Sequence, residues 1–334
     1  MTIEPPSSHP REISVTEALE PAYERVKLIL FKPFDLTKWI VIGFGAWLAG
    51  FGESGGGGGG FNGFNDGNHH FDGNNGGEQL RHFYHEASDY VLVNLYWILP
   101  LGIILLVAIV ALWLLVLWLS SRGKFMFLHC VALNRAEVEV PWRKFAGVAN
   151  SLFRFRLLMS LIGLVLMVPL LVFIAIVILR MVLQGEPNVA GVMSALGLGL
   201  LFLLLALGFA LIHKFTVDFV VPIQFLRGGN CLAAWRELNQ LLAGNPGSFT
   251  LYILFQIVLT MAIGVVVLLA ILLTCCLAGC LMLVPFVGTV LLLPVLVFKR
   301  AYPLYYLAQF GPQYNVFPVP QALTPLPLEP QVAE

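Results

Sequence analysis

The chain has 334 residues, of which 58% are apolar and only 11% charged, and its mean hydropathy is +0.85. A soluble domain is closer to half apolar and a quarter charged, so composition places this chain in a membrane. Nineteen basic residues balance nineteen acidic ones, which gives no argument for nucleic acid as a partner.

Residues 1–13 are polar and read as a disordered start. The N-terminus lacks the basic opening and short apolar core of a cleaved signal peptide, so the first spanning segment should stay as an anchor. From Ser14, SVTEALEPAYERVKLIL places Val15, Leu19, Ala22, Val26 and Ile29 on one helical face. Ser14 and Glu17 have capping-box spacing, and Pro21 should bend the helix. Asp35 is a candidate cap for the next helix. The apolar stretch Trp39–Phe51 is short, either a span or a re-entrant segment.

Residues 53–78, ESGGGGGGFNGFNDGNHHFDGNNGGE, interrupt the apolar pattern. A phosphate-binding loop would need G-x-x-x-x-G-K-[S/T] between a strand and a helix, and neither the Lys nor the strand is present. A calcium loop would need regularly spaced oxygen ligands and a late bidentate Glu. His69, His70, His82 and His85 make a candidate Zn or Cu(II) set. His82 and His85 share a helical face, with Glu86 and Asp89 close by. The bland reading is a solvated polar connection whose histidines are incidental. No cofactor is called for.

A spanning helix needs about 20 apolar residues. Leu99–Ser120, Leu157–Val182, Val192–Ile212, Phe249–Leu273 and Cys280–Phe298 satisfy this. If Trp39–Phe51 also crosses, 17 of the 19 basic residues fall on one side, leaving only Arg81 and Arg180 on the other. Basic residues collect on cytoplasmic segments. The expected fold is therefore an all-α, polytopic membrane protein: six transmembrane helices as three hairpins, with both termini in the cytoplasm. The Gly-rich connection is then extracytoplasmic. Trp39, Trp97 and Trp118 lie near helix ends, where aromatic rings favour the interface.

A unit repeats three times. An amphipathic helix precedes each odd-numbered span, and an aromatic-aliphatic extension follows each even-numbered one. The second and third amphipathic helices are PWRKFAGVANSL, with Trp142, Phe145, Val148 and Leu152 on one face, and CLAAWRELNQLLAG, with Leu232, Trp235, Leu238 and Leu242. Gly244 is the expected stop. The extensions are KFMFLHCVAL, DFVVPIQFL and YPLYYLAQF. The amphipathic helices should form a cytoplasmic collar. Ala46 and Gly50, and Ala195 and Gly199, have the small-x-x-x-small spacing of close helix contacts. Pro100, Pro169, Pro285 and Pro294 should kink their helices.

Ionisable groups at mid-membrane depth are functional candidates, and here they are scarce. Arg180 is one turn from the outer end of its helix and can snorkel to the headgroups. Lys214 and Asp218, four apart, read as an exposed interfacial pair of small energetic weight. Asn94, Ser160, Gln256 and Thr260 read as interhelical hydrogen bonds. Neither H-E-x-x-H nor G-x-S-x-G occurs. Cys130, Cys231, Cys275, Cys276 and Cys280 form no C-x-x-C pair and read as packing residues. Residues 312–334 are Pro-rich and should be extended or disordered, which leaves residues 14–311 as the membrane domain.

Phe31, Pro33, Phe34, Asp35, Leu36, Lys38 and Trp39, an F-x-P-F-D-L-x-K-W motif, are followed by a glycine run. In this the chain resembles a family of uncharacterised prokaryotic multi-pass membrane proteins known only as a domain of unknown function. The layout is more loosely similar to the membrane domain fused to some glycerophosphodiester phosphodiesterases, whose catalytic domain is absent here. The resemblance implies a fold without an activity. The reading that follows is a non-catalytic membrane-organising, accessory or interaction protein of the inner (plasma) membrane. Its partners would be the lipid bilayer and proteins docking on the cytoplasmic amphipathic helices. A transporter or channel for a small or lipophilic solute is the alternative. A metal-dependent sensor or membrane enzyme using the outer histidines is a third reading.

Overall fold

The computed structural model describes residues 13–51, 93–184, 189–274, 284 and 286–317, and among them every regular element is a helix. α1 (Leu19–Leu30) buries the stripe expected of it, with Val15, Ala22, Val26 and Ile29 all inside. Two local expectations are corrected. Pro21 falls in the first turn of α1, where its missing N–H costs no helical hydrogen bond, so it starts the helix rather than bending it. The capping box does not form. Ser14 instead gives its backbone N–H to Gln309 Oε1 at 2.9 Å and takes a bond from Gln309 Nε2 on its carbonyl at 2.9 Å.

Among the described residues, four helices are long and apolar enough to cross a membrane. They are α3 (Leu95–Leu133), α5 (Ala146–Gln184), α6 (Val189–Phe215), which continues through a π-helical segment (Thr216–Val220) into α7 (Val221–Arg227), and α9 (Pro246–Leu273). At 1.5 Å per residue, the 39 residues of α3 run about 58 Å, nearly twice a bilayer's hydrocarbon thickness. The helix divides accordingly. Leu95–Leu115 is apolar and mostly exposed, whereas Ser120–Ala132 is almost wholly buried in protein. The aromatic-aliphatic extensions are therefore the core of a helical head. Phe125, Leu128 and Val131 of α3, Phe219 and Val220 of the π segment, and Tyr302 and Tyr306 of α11 (Leu293–Ala308) belong to one buried cluster.

α2 (Leu36–Gly50) has only 15 residues and is not among the helices long enough to cross. It runs antiparallel to the lower half of α3, from Lys38 beside Asn134 to Ala49 beside Gly123. A short α4 (Glu139–Lys144) leads into α5, and α8 (Cys231–Gly244) ends where Gly244 was expected to stop it. Phe145 and Leu152 are buried as their pattern requires. In α8 the buried stripe is Cys231, Ala234 and Leu238. Leu232 faces outward at 68% exposure, because it lies one position off that stripe.

The three amphipathic segments pack by one rule. Each lies against the extension that ends the preceding repeat: Phe145 stacks on Phe125 of α3, α8 packs on the π segment and α7, and α1 packs on α11. The last contact joins α1 to α11, near the two ends of the described residues, and closes a ring. Tyr302 seals it by donating its hydroxyl to the Val15 carbonyl at 2.9 Å.

The small-residue spacing marked one close contact and missed others: Ala46 is buried in the core on α2, whereas the Ala195–Gly199 pair meets no neighbour at Gly199. A Cβ on Gly123 would stand 2.6 Å from the backbone of Leu48 and Ala49, and one on Gly43 would stand 2.8 Å from Val290 of α10 (Val287–Leu291). Gly199 has nothing within 4 Å. Helix runs unbroken through Pro100 and Pro169, while Pro294 stands in the first turn of α11, after a break at Leu292.

Candidate functional site

The head's polar side chains concentrate where it meets the long helices. On the π segment, Asp218 is buried and accepts two bonds on one oxygen. Lys214 Nζ lies 2.8 Å from Oδ2, and the Tyr252 hydroxyl donates to it at 2.9 Å. Gln256, one turn further along α9, donates from Nε2 to the Tyr252 oxygen at 3.0 Å. The pair read as exposed and energetically slight is thus one end of a chain of four side chains, of which Asp218, Tyr252 and Gln256 are buried and Lys214 stays partly exposed. A carboxylate out of water needs such donors, because burying it unpaired costs several kcal/mol.

The π segment has one carbonyl that its own register cannot satisfy. In π register each N–H bonds the carbonyl five residues back, as Val221 does to Thr216. The next donor would be residue 222 on Val217, but Pro222 has no N–H. Arg300 supplies the missing donor, its Nη1 lying 2.7 Å from the Val217 carbonyl.

A second polar group ties α2, α3 and α5. Ser120 Oγ donates to the Ala49 carbonyl at 3.0 Å, and Arg156 Nη1 donates to Ser120 and Ser121 Oγ, both at 3.2 Å. Beside it, the Arg122 guanidinium lies over the rings of Trp118 and Trp142, at 4.6 and 5.0 Å. Arginine between tryptophans suits the level where apolar helix meets headgroups.

The motif residues build an elbow between α1 and α2. Asp35 caps α2 by accepting from the Thr37 N–H at 2.9 Å. Trp39 donates Nε1 to the Leu30 carbonyl at the end of α1 and packs edge-on against Phe31, with Phe34 tilted on it. Lys38 reaches Asn134 Oδ1 at 2.7 Å, on the residue that ends α3 in a left-handed conformation. The motif is a joint that fixes where α1 leaves α2.

The polar groups singled out within the long helices are spent locally. Ser160 donates to the Leu157 carbonyl and Thr260 to the Gln256 carbonyl of their own helices, and Asn94 accepts from Trp97. His69, His70, His82 and His85 lie outside the described residues, as do Cys275, Cys276 and Cys280. Among the described residues, no three His, Cys, Asp or Glu side chains gather as a metal site. Cys130 and Cys231 are buried and free, and burial pushes the Cys231 thiol up to about 12, which suits a packing residue rather than a nucleophile.

Sequence reasoning found Lys214 and Asp218 by their spacing. It missed Tyr252, which is 34 residues from Asp218, and Arg300, whose acceptor depends on Pro222. Only Pro222, five residues after Val217 and without an N–H to give it, could have hinted at the second.

Residues 13–299 match the model of a family of unknown function, DUF7544. The chain belongs to this family. The matched range runs from just before α1 into α11, so it includes the elbow, the four long helices and the buried Asp218 chain. No curated protein matches the chain. No solved structure matches it either.

Proposed function

We propose that this DUF7544 protein is a six-pass protein of the inner (plasma) membrane, working through its helical head as a non-catalytic membrane-organising or interaction protein. Both termini and the head lie on the cytoplasmic side. The observation that carries this reading is the division of each long helix into an exposed apolar part and a part packed in the head. Packing and specificity are invested in the head, while the long helices offer lipid an unbroken apolar surface.

Charge supports the sidedness. Of the 17 described lysines and arginines, which exclude Arg11 and Arg81 from the total of 19, every one except Arg180 is on the head or at its junction with the long helices. That asymmetry is the one expected of a cytoplasmic side. Six passes is the count reached by adding the sequence segments Trp39–Phe51 and Cys280–Phe298 to the four long helices, the arrangement that puts 17 of the 19 basic residues on one side.

A solute pathway draws no support from Ser160 and Thr260, whose hydroxyls bond their own helices. The test is site-specific photo-crosslinking in intact membranes. A crosslinker replacing Leu232, exposed on α8, should give a discrete protein adduct, and one replacing Leu203, exposed on α6, should label lipid alone. Lipid-only labelling at both sites, together with selective solute flux in proteoliposomes, would replace the interaction reading with transport.

A further inference from the structure

A cleft of about 260 Å³ opens on the outer side of α1, between that helix, the elbow and α11. Three cations rim it: Arg25, Lys27 and Lys32. Glu24, the acid in its lining, is taken by Lys27 at 2.7 Å. Arg25 has no carboxylate partner among the described residues, and Lys32 acts on Glu24 only at longer range, without an ion pair. Arg25 is held by carbonyls alone, with Nε 3.1 Å and Nη2 3.0 Å from the Val131 oxygen and a further bond from Nη2 to Ala132. Its guanidinium also lies 4.9 Å from the centre of the Phe317 ring, which itself stacks on Tyr305 at 4.1 Å. Arg25 is therefore fixed in place before any ligand arrives. Lys32 is exposed and makes no hydrogen bond or ion pair with the described residues. Leu28 and the Tyr305 ring give the cleft an apolar wall between these charges.

We propose that this cleft binds the phosphate of an organic phosphate ester, with Arg25 and Lys32 on the phosphate and the organic part against Leu28 and Tyr305. With Nε and Nη2 spent on carbonyls, Arg25 keeps the two N–H groups of Nη1 to donate to the phosphate, and the Lys32 ammonium adds a mobile second charge. The apolar wall sets this site apart from one for a bare inorganic anion. The same chemistry is offered by an anionic lipid headgroup and by a soluble phosphate ester. The inference goes beyond the interaction reading and does not depend on it, since binding is measured on the isolated protein.

The test uses the full chain purified in a neutral detergent. One arm titrates glycerol 3-phosphate, with inorganic phosphate as comparison, by calorimetry. The other follows retention of phosphatidylglycerol by native mass spectrometry. Arg25 also ties α1 to α3, so Arg25→Gln risks the fold, and Lys32→Gln is the deciding variant. Each neutralised cation should weaken binding about fivefold, and Glu24→Gln should strengthen it. An effect in the first arm assigns a soluble ester, and one confined to the second assigns a lipid. Binding in neither arm, or binding that Lys32→Gln leaves unchanged, overturns the proposal.

Discussion

Arg300 donates to the Val217 carbonyl at 2.7 Å, filling the position that Pro222 leaves without a donor. A side chain on α11 thus completes the hydrogen bonding of a helix 83 residues away in sequence. A buried carbonyl left unpaired costs about 1–3 kcal/mol, and hydrogen bonds from charged donors contribute at the upper end of that range.

The Arg300–Val217 bond predicts coupling between Arg300 and Pro222. Arg300→Ala should destabilise the detergent-solubilised protein by about 2–3 kcal/mol. In a Pro222→Ala background a backbone N–H becomes available to Val217, so the same change should cost less. Thermal unfolding of the four proteins forms a double-mutant cycle. Strict additivity would mean that Arg300 acts only through its other contacts.

The glycines give a sharper contrast. A Cβ at Gly123 would lie 2.6 Å from backbone atoms of α2, which cannot swing aside as a side chain can. Gly123→Ala should therefore push α2 off α3 and cost about 1–3 kcal/mol. Gly199→Ala meets nothing within 4 Å and should leave the melting temperature unchanged or slightly raised. Equal effects from the two substitutions would contradict the α2–α3 crossing.

These two glycines also show how far the sequence could be read. Its small-residue spacing pointed to Ala46 with Gly50 and to Ala195 with Gly199, because spacing marks a smooth helix face without naming what lies against it. The α1 stripe was legible for the opposite reason: Val15, Ala22, Val26 and Ile29 record burial directly in their periodicity. The extensions were legible as a pattern, and their place at the centre of the head was not. Hydropathy treats Phe125 buried in protein and Leu105 facing outward as the same signal. Asp218 was misjudged because its burial comes from Tyr252 and Gln256 on another helix.

Ring closure by α1 and α11 makes these two helices interdependent. Tyr302→Phe removes one hydrogen bond and leaves the Val15 carbonyl buried without its donor, a loss of about 1–2 kcal/mol. Gln309→Ala should act in the same direction through both Ser14 bonds. Both variants should raise the rate of cleavage between Ile13 and Leu19 above that of the parent protein in native-state digestion. An unchanged rate there would mean that α1 is held by its apolar stripe alone.

Sidedness can be read with a reporter whose own folding depends on compartment. Alkaline phosphatase needs disulfides that form outside the cytoplasm and not within it. Fused after residue 65, between α2 and α3, it should be active. Fused after Gly229, between α7 and α8, or after Phe317, it should be inactive, because those positions belong to the basic head. The three fusions test separate joints of the proposed path. An inactive fusion at 65 would mean that the chain has not crossed by that point, and the first passage would then have to fall between residue 65 and Val93. Activity at 229 would place the head, with Lys214, Arg227 and Arg236 around it, outside the cytoplasm, against the charge asymmetry on which the orientation rests.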